Sequence, residues 1–310
     1  MNEVKNGLAA QSFKVETPNV TSSLEGRIAV VTGGASGIGE ACARDLAARG
    51  AQVVVADIDE PRAQAVAFSI PRGVAGRLDV TRPDDIETVA DWVEREYGPP
   101  AILVTSAGVL QPPLPPEELP IETWDHVVAV DQRGVYLSCV AFGKRMALRG
   151  GGAIVNIASV AGLRSLPLHA YAPAKAAVIG MTQALAAEWG RSGVRVNAVA
   201  PGFVMTPALQ AAVDAGQRDP AALAENSAMG RLVAPEEIAR ACSFLASDDA
   251  SAITGITLPV DAGWLVAGSW HGYGGLRPPR VAGGGQEEGG AMTTRNAAPA
   301  VAGDAMTEIS

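Results

Sequence analysis

The segment Thr32-Gly33-Gly34-Ala35-Ser36-Gly37-Ile38-Gly39 follows the apolar run Ile28-Ala29-Val30-Val31 and leads straight into a helical pattern. A strand, a tight glycine turn and a helix start in that order form one βα unit. Gly33 and Gly37 suit backbone angles closed to other residues, and Gly39 lacks the side chain that would hold the first strand or a phosphate away. The helix opening near Gly37 aims unsatisfied N–H groups and the positive end of its dipole at whatever sits in the turn. A glycine turn by itself is as often a plain turn as a ligand site. The strand before it and the helix after it make this one a candidate cradle for a dinucleotide, with Ser36 and Ile38 on its rim.

The rest of the chain repeats the unit. Short unalternated apolar runs at 28–31, 53–56, 102–104, 154–157 and 194–199 read as strands buried on both faces. Helical patterns lie between them, among them 84–97 after the breaker Pro83 and 124–148 after Pro120. This alternation predicts an α/β fold, a doubly wound parallel sheet of Rossmann-like type with helices on both faces, in one domain. Residues 1–25 show no clean period and read as a flexible or loosely docked arm, ahead of a domain over 26–264. Pro112, Pro113, Pro115 and Pro116 exclude helix after the fourth strand and mark a stiff loop at the carboxyl edge of the sheet, where ligands bind. The stretch 207–232 reads as a helical lid, with Leu209, Val213, Leu223 and Met229 as apolar contacts and Gln210 and Asn226 as polar ones. Those apolar positions serve equally for packing within the lid. Beyond 264 comes a Gly/Pro/Ala-rich tail, expected to be largely disordered past about 277. Around its start Trp264, Trp270 and Tyr273 offer aromatic docking groups.

Charge narrows the partners. A formal net charge of −9 and the absence of a basic stripe argue against nucleic acid and against an anionic membrane. No apolar run is long enough to span a bilayer, and the first residues lack a basic stretch followed by an apolar one, so a soluble cytoplasmic protein is expected. Cys42, Cys139 and Cys242 are odd in number and separated in sequence, as reduced core thiols would be. No His/Cys/Asp/Glu spacing suits a metal, and none is expected.

The chemistry gathers at later strand ends. Asp57 closes the second strand about two dozen residues past the first glycine, where a carboxylate can accept from both adenosine ribose hydroxyls and repel the extra phosphate of NADP. An ordinary solvated acid is the competing reading. Asp79-Val80, after the third strand, either borders the adenine or supplies a cap for the helix beyond Pro83. In Tyr171-Ala172-Pro173-Ala174-Lys175 a Tyr and a Lys four apart share one helix face. An ammonium beside a phenol favours the phenolate, the form that takes a proton. Ser159 follows the strand Ala153-Ile154-Val155-Asn156-Ile157-Ala158, placing a hydroxyl at the carboxyl edge. The turn Pro201-Gly202-Phe203-Val204-Met205-Thr206 leaves the sixth strand and can return Thr206 to the same edge. His169 faces either the substrate or a surface loop.

The glycine pattern, the Ser-Tyr-Lys set and the Pro-Gly turn, in this order and on these elements, resemble the classical short-chain dehydrogenase/reductase family over about residues 26–263. The resemblance implies NAD as cofactor and a small secondary alcohol or ketone as substrate. It implies Tyr171 as acid/base, Lys175 on the nicotinamide ribose, and Ser159 positioning the reacting oxygen. Cofactor contacts implied in the same way fall at Gly33, Ser36, Gly37, Ile38, Gly39, Asp57, Asp79, Val80, Ser106, Ala107, Gly108, Tyr171, Lys175, Pro201, Gly202, Val204 and Thr206. Similar proteins pair helices matching 124–148 and 171–189, so a homodimer or homotetramer is expected.

Two departures from the family pattern stand out. Thr105-Ser106-Ala107-Gly108 replaces the usual Asn-Asn-Ala-Gly or Asn-Ser-Ala-Gly, a turn type that resembles polyol and sugar-alcohol dehydrogenases. Asp131 stands where the family has an Asn whose main-chain carbonyl holds a relay water; the carbonyl is retained, but a carboxylate is added near Lys175. This departure leaves open an NAD-binding protein with weakened catalysis and a regulatory or scaffolding role, and also non-redox epimerisation or dehydration at the same site.

Overall fold

The computed structural model describes residues 23–278. The expectations for the arm before residue 23 and for the tail after 278 lie outside the described residues. Seven parallel strands form one sheet in the order β3-β2-β1-β4-β5-β6-β7, with β1 Ile28–Thr32, β2 Gln52–Asp57, β3 Gly73–Arg77, β4 Pro100–Thr105, β5 Gly152–Ile157, β6 Val194–Pro201 and β7 Thr257–Val260. The helices are α1 Gly37–Ala48, α2 Glu60–Ser69, α3 Pro83–Glu96, α4 Ile121–Val127, α5 Val135–Leu148, α6 Tyr171–Trp189, α7 Pro207–Asp214, α8 Pro220–Glu225, α9 Pro235–Ala246 and α10 Trp264–Ala267.

The unalternated strands divide their side chains between two cores. Ala29, Val31, Val53, Val55, Ile102, Val104 and Val155 pack with Cys42 and Leu46 of α1 and with Ile238 and Leu245 of α9. Val30, Val54, Leu103 and Ile154 pack on the opposite face with Ile86 of α3, Phe142 and Met146 of α5 and Val178 of α6. Each fully buried Val, Leu or Ile contributes about 1.5–3 kcal/mol, and strands central to both cores therefore hold their register firmly. All three cysteines are free and buried. Burial pushes the Cys139 thiol, which donates to Asn156 Oδ1 at 3.2 Å, up to about 12.

Strand order reverses between β1 and β4, and such a switch point opens a crevice at the carboxyl ends of the strands. Gly33, with φ of +68°, lies at this point; a Cβ there would stand 2.5 Å from Ala107 Cα in the turn after β4. A Cβ on Gly39 would stand 1.9 Å from the Gly33 carbonyl oxygen, so Gly39 closes the turn upon itself.

Three local expectations change. The helix expected over 124–148 begins at Ile121 and is interrupted by a π-helical segment, Val128–Gly134. A wider π turn re-aims a side chain within an otherwise continuous helix, and here that side chain is Asp131. The proline-rich loop contains one 3₁₀ turn, Pro116–Glu118, because proline is tolerated at the first position of a helical turn. Leu24, read as part of the arm, is fully buried against the first core, and its N–H donates to the Arg49 carbonyl.

The stretch read as a lid forms α7 and α8, and of the aromatic segment Trp264 packs while Trp270 and Tyr273 stay exposed. Trp264 packs edge-on to Phe203 with centroids 5.8 Å apart, under the Arg164 guanidinium, which donates to the Leu265 carbonyl at 2.9 Å. Among the described residues no helix is long and apolar enough to cross a membrane, and no group of three or more His, Cys, Asp or Glu side chains could hold a metal ion.

Candidate active site

Two cavities open at the carboxyl edge of the sheet and meet at Tyr171. The first, about 790 Å³, runs from Asp57, Arg62 and Asp79 past the glycine turn and Ser106-Ala107-Gly108 to Asp131 and Lys175. The second, about 760 Å³, is lined by Ser159, the turn Pro201 to Val204 and the lid. Tyr171, Ile38, Ile157 and Thr206 line both.

Local sequence explains each placement. Ser159 caps the 3₁₀ turn Val160–Gly162 by accepting from the Ala161 N–H at 3.1 Å, which leaves its own hydroxyl proton free to donate. Tyr171 is the first residue of α6, whose opening N–H groups lack partners within the helix. Gln111 supplies one from a distant loop: its Oε1 accepts from Ala170 N at 2.6 Å and Tyr171 N at 3.0 Å. This buried side chain was not singled out in the sequence, since nothing local marks a cap delivered from 60 residues away. Replacing Gln111 by Ala orphans two N–H groups at the start of α6. The expected loss is about 2 kcal/mol, read by urea denaturation, together with a fall in kcat as Tyr171 loosens.

Lys175 is buried one turn further along. Its Nζ donates to the Ile157 carbonyl at 3.1 Å, lies 5.4 Å from the Tyr171 ring centroid and stands 3.1 Å from Asp131 Oδ1. Asp131, fully buried in the π segment, accepts from the Val109 N–H through Oδ2 at 3.1 Å, while Oδ1 receives no well-angled hydrogen bond. Gly108 permits this approach, for a Cβ there would stand 2.7 Å from Asp131 Oδ1. Burial raises the Asp131 carboxyl above its ordinary value against the pull of Lys175, the Val109 N–H and His126. Burial works to lower Lys175, but Tyr171 and Asp131 outweigh it, and the amine is held above its ordinary value.

At the far end of the first cavity, Asp57 accepts from Ala35 N through Oδ2 and from Asp59 N through Oδ1, both at 3.0 Å. Each oxygen keeps a lone pair for a further donor. Asp79 caps no helix: Oδ1 accepts from the Thr81 N–H and hydroxyl, which draws its carboxyl below the ordinary value, and Arg82 stands at the start of α3. Asp79 and Val80 both line the cavity.

Gly39 lies behind the turn rather than on the cavity wall, and His169 lines neither cavity. Pro201, Gly202 and Val204 line the second cavity and not the first. Of the lid positions read as substrate contacts only Leu209 lines the second cavity; Ala208, Ala212, Gln217 and Arg218 do so instead. Gln210 turns to Asp214, and Asn226 to the Ala222 carbonyl.

The cavity beside β1 fits a dinucleotide. Ser36 makes no side-chain cap to α1, so the first-turn N–H groups keep no side-chain acceptor there, and glycines floor the turn. A family model described as Enoyl-(Acyl carrier protein) reductase matches residues 33–265. D-threitol dehydrogenase of Mycolicibacterium smegmatis is 42% identical over 250 residues, covering 78% of this chain and 94% of that protein. The chain belongs to the short-chain dehydrogenase/reductase family. Another member, cis-4-hydroxycyclohexanecarboxylate dehydrogenase of Sinomonas cyclohexanicum, is 42% identical over 242 residues, 77% of this chain and 96% of that protein. A solved structure named Ribose-5-phosphate Isomerase from Brucella melitensis 16M is 53% identical, with a TM-score of 0.81, covering 83% of this chain and 99% of that one. As a short-chain dehydrogenase/reductase the protein is an oxidoreductase acting on CH–OH groups.

Proposed function

We propose that the protein is an NAD-dependent dehydrogenase interconverting a secondary alcohol and a ketone, with Tyr171 as the acid/base. The meeting of the two cavities at Tyr171 carries this reading, because proton transfer and hydride transfer must reach one carbinol from two sides. NAD, when bound along the first cavity, supplies the hydride acceptor. Ser159 donates to the substrate oxygen and fixes it beside the Tyr171 phenolate, which takes the hydroxyl proton. Lys175 favours that phenolate and is itself held by the Ile157 carbonyl and Asp131. In reduction the same groups run in reverse.

Asp57 supports NAD over NADP, since a carboxylate at the end of β2 on this wall would repel the extra phosphate; Arg62, also on that wall, is tied to Asp59 at 3.4 Å. NADH formation with a panel of secondary alcohols, using NAD and NADP in turn, tests the proposal. Preference for NAD supports it and preference for NADP contradicts the role of Asp57. The name of the Brucella structure favours a second reading, redox-neutral isomerisation at the same site, which would convert ribose 5-phosphate without net change in cofactor. Pairing of α5 and α6 between copies into a dimer or tetramer belongs to the same proposal.

Asp131 makes the pH dependence informative. An ionised Asp131 holds protons on its neighbours, so Asp131→Asn should let them leave more easily. The groups facing it are Lys175 on α6, His126 on α4 and the Val109 N–H, and Tyr171 adjoins Lys175. Both limbs of the kcat/KM profile should then move to lower pH by about one unit. An unmoved profile would show that the carboxyl is already neutral in the working enzyme.

A further inference from the structure

We propose that the substrate is a secondary alcohol on an apolar body ending in a carboxylate, and that Arg218 of the lid binds that carboxylate. The inference rests on the dehydrogenase reading and concerns the cavity opposite the dinucleotide.

One end of that cavity holds the reacting pair, Ser159 and Tyr171, and its walls are apolar: Leu110, Leu168, Val160, Phe203 and Leu209 among them. The polar side chains along the way are few and partly engaged. Gln111 spends its Oε1 on the start of α6, and Thr206 Oγ1 accepts from the Leu209 N–H. A polyol would bury several hydroxyls against walls with few partners for them, each at the cost of an unmade hydrogen bond. An apolar chain or ring loses nothing there and gains from burial.

At the lid Arg218 is the one charged side chain on the cavity wall, with Gln217 beside it. Among the described residues Arg218 makes no ion pair or hydrogen bond. The nearby acids are turned elsewhere, Asp214 toward Gln210 and Asp219 to the N–H of Ala221 at the start of α8. An exposed arginine that makes no ion pair, on the wall of a largely apolar cavity, matches a planar carboxylate through two parallel N–H donors. A phosphate dianion would call for further cations, and the lining offers none besides Arg218.

The test is steady-state kinetics with NAD on 3-hydroxybutyrate, 5-hydroxyhexanoate and 7-hydroxyoctanoate, their methyl esters, their phosphate-terminated analogues and xylitol. At least one acid should exceed its ester in kcat/KM by about tenfold, the size of one charge-assisted hydrogen bond. Arg218→Gln should erase that margin through KM, leaving kcat and ester turnover unchanged. Esters equal to their acids, a preference for xylitol or for the phosphates, or an equal effect of Arg218→Gln on acid and ester would each overturn the anion proposal while leaving the dehydrogenase intact. No NADH from any of these compounds would overturn this inference, and none from the wider panel of secondary alcohols as well would bring down the dehydrogenase reading with it.

Discussion

Tyr171→Phe should lower kcat by about a hundred- to ten-thousandfold, the contribution of a positioned general acid/base, while NAD affinity stays near that of the wild type. The expectation follows from what the substitution removes. The ring keeps its place at the start of α6, where Gln111 holds the backbone, and Lys175 keeps its bonds to the Ile157 carbonyl and its pairing with Asp131. Only the phenolic oxygen that exchanges a proton with the substrate is lost. Calorimetric titration with NAD and steady-state rates on the same preparation separate the two effects. A variant that turns over at the wild-type rate would remove Tyr171 from the mechanism, and one that no longer binds NAD would show a collapsed site instead.

Lys175→Met should be costly in a different way. It empties a buried cation from beside a buried carboxylate, and breaking such a pair costs about 3–5 kcal/mol because the remaining charge has no partner. Asp131→Asn in the same background removes that orphaned charge, so the double variant should be more stable than Lys175→Met alone, though still inactive. Urea denaturation of the two single variants and the double one measures the coupling directly. Additive losses would mean that the 3.1 Å approach of Asp131 to Lys175 carries no energy.

The sequence is most legible where one short segment fixes its own geometry. The glycine turn, the strands buried on both faces and the Tyr-Lys spacing each contain their physical reason within a few residues, and the structure places them as their pattern implies. Legibility falls where the partner is remote. Gln111 reaching the start of α6, and Arg218 standing free above an apolar cavity, depend on loops that tertiary packing brings together. The π turn at Asp131 was hidden for another reason. A helix with one extra residue keeps almost the same apolar pattern as a regular one, and only the burial of the Asp131 side chain discloses the change of pitch. In the lid, the apolar period was clear but its rotation was not: Leu209 faces the cavity, whereas Met229 is exposed.

The central claim is that one carbinol sits between the proton path at Tyr171 and the hydride path along the dinucleotide cavity. The most direct measurement uses a secondary alcohol deuterated at the carbinol carbon and follows the label by mass spectrometry of the isolated cofactor. Transfer of the deuterium to NAD, with one labelled NADH for each ketone formed and label transfer by Tyr171→Phe slowed as much as its turnover, is the result expected. Ketone formed with unlabelled NADH, or label lost to water, would contradict it.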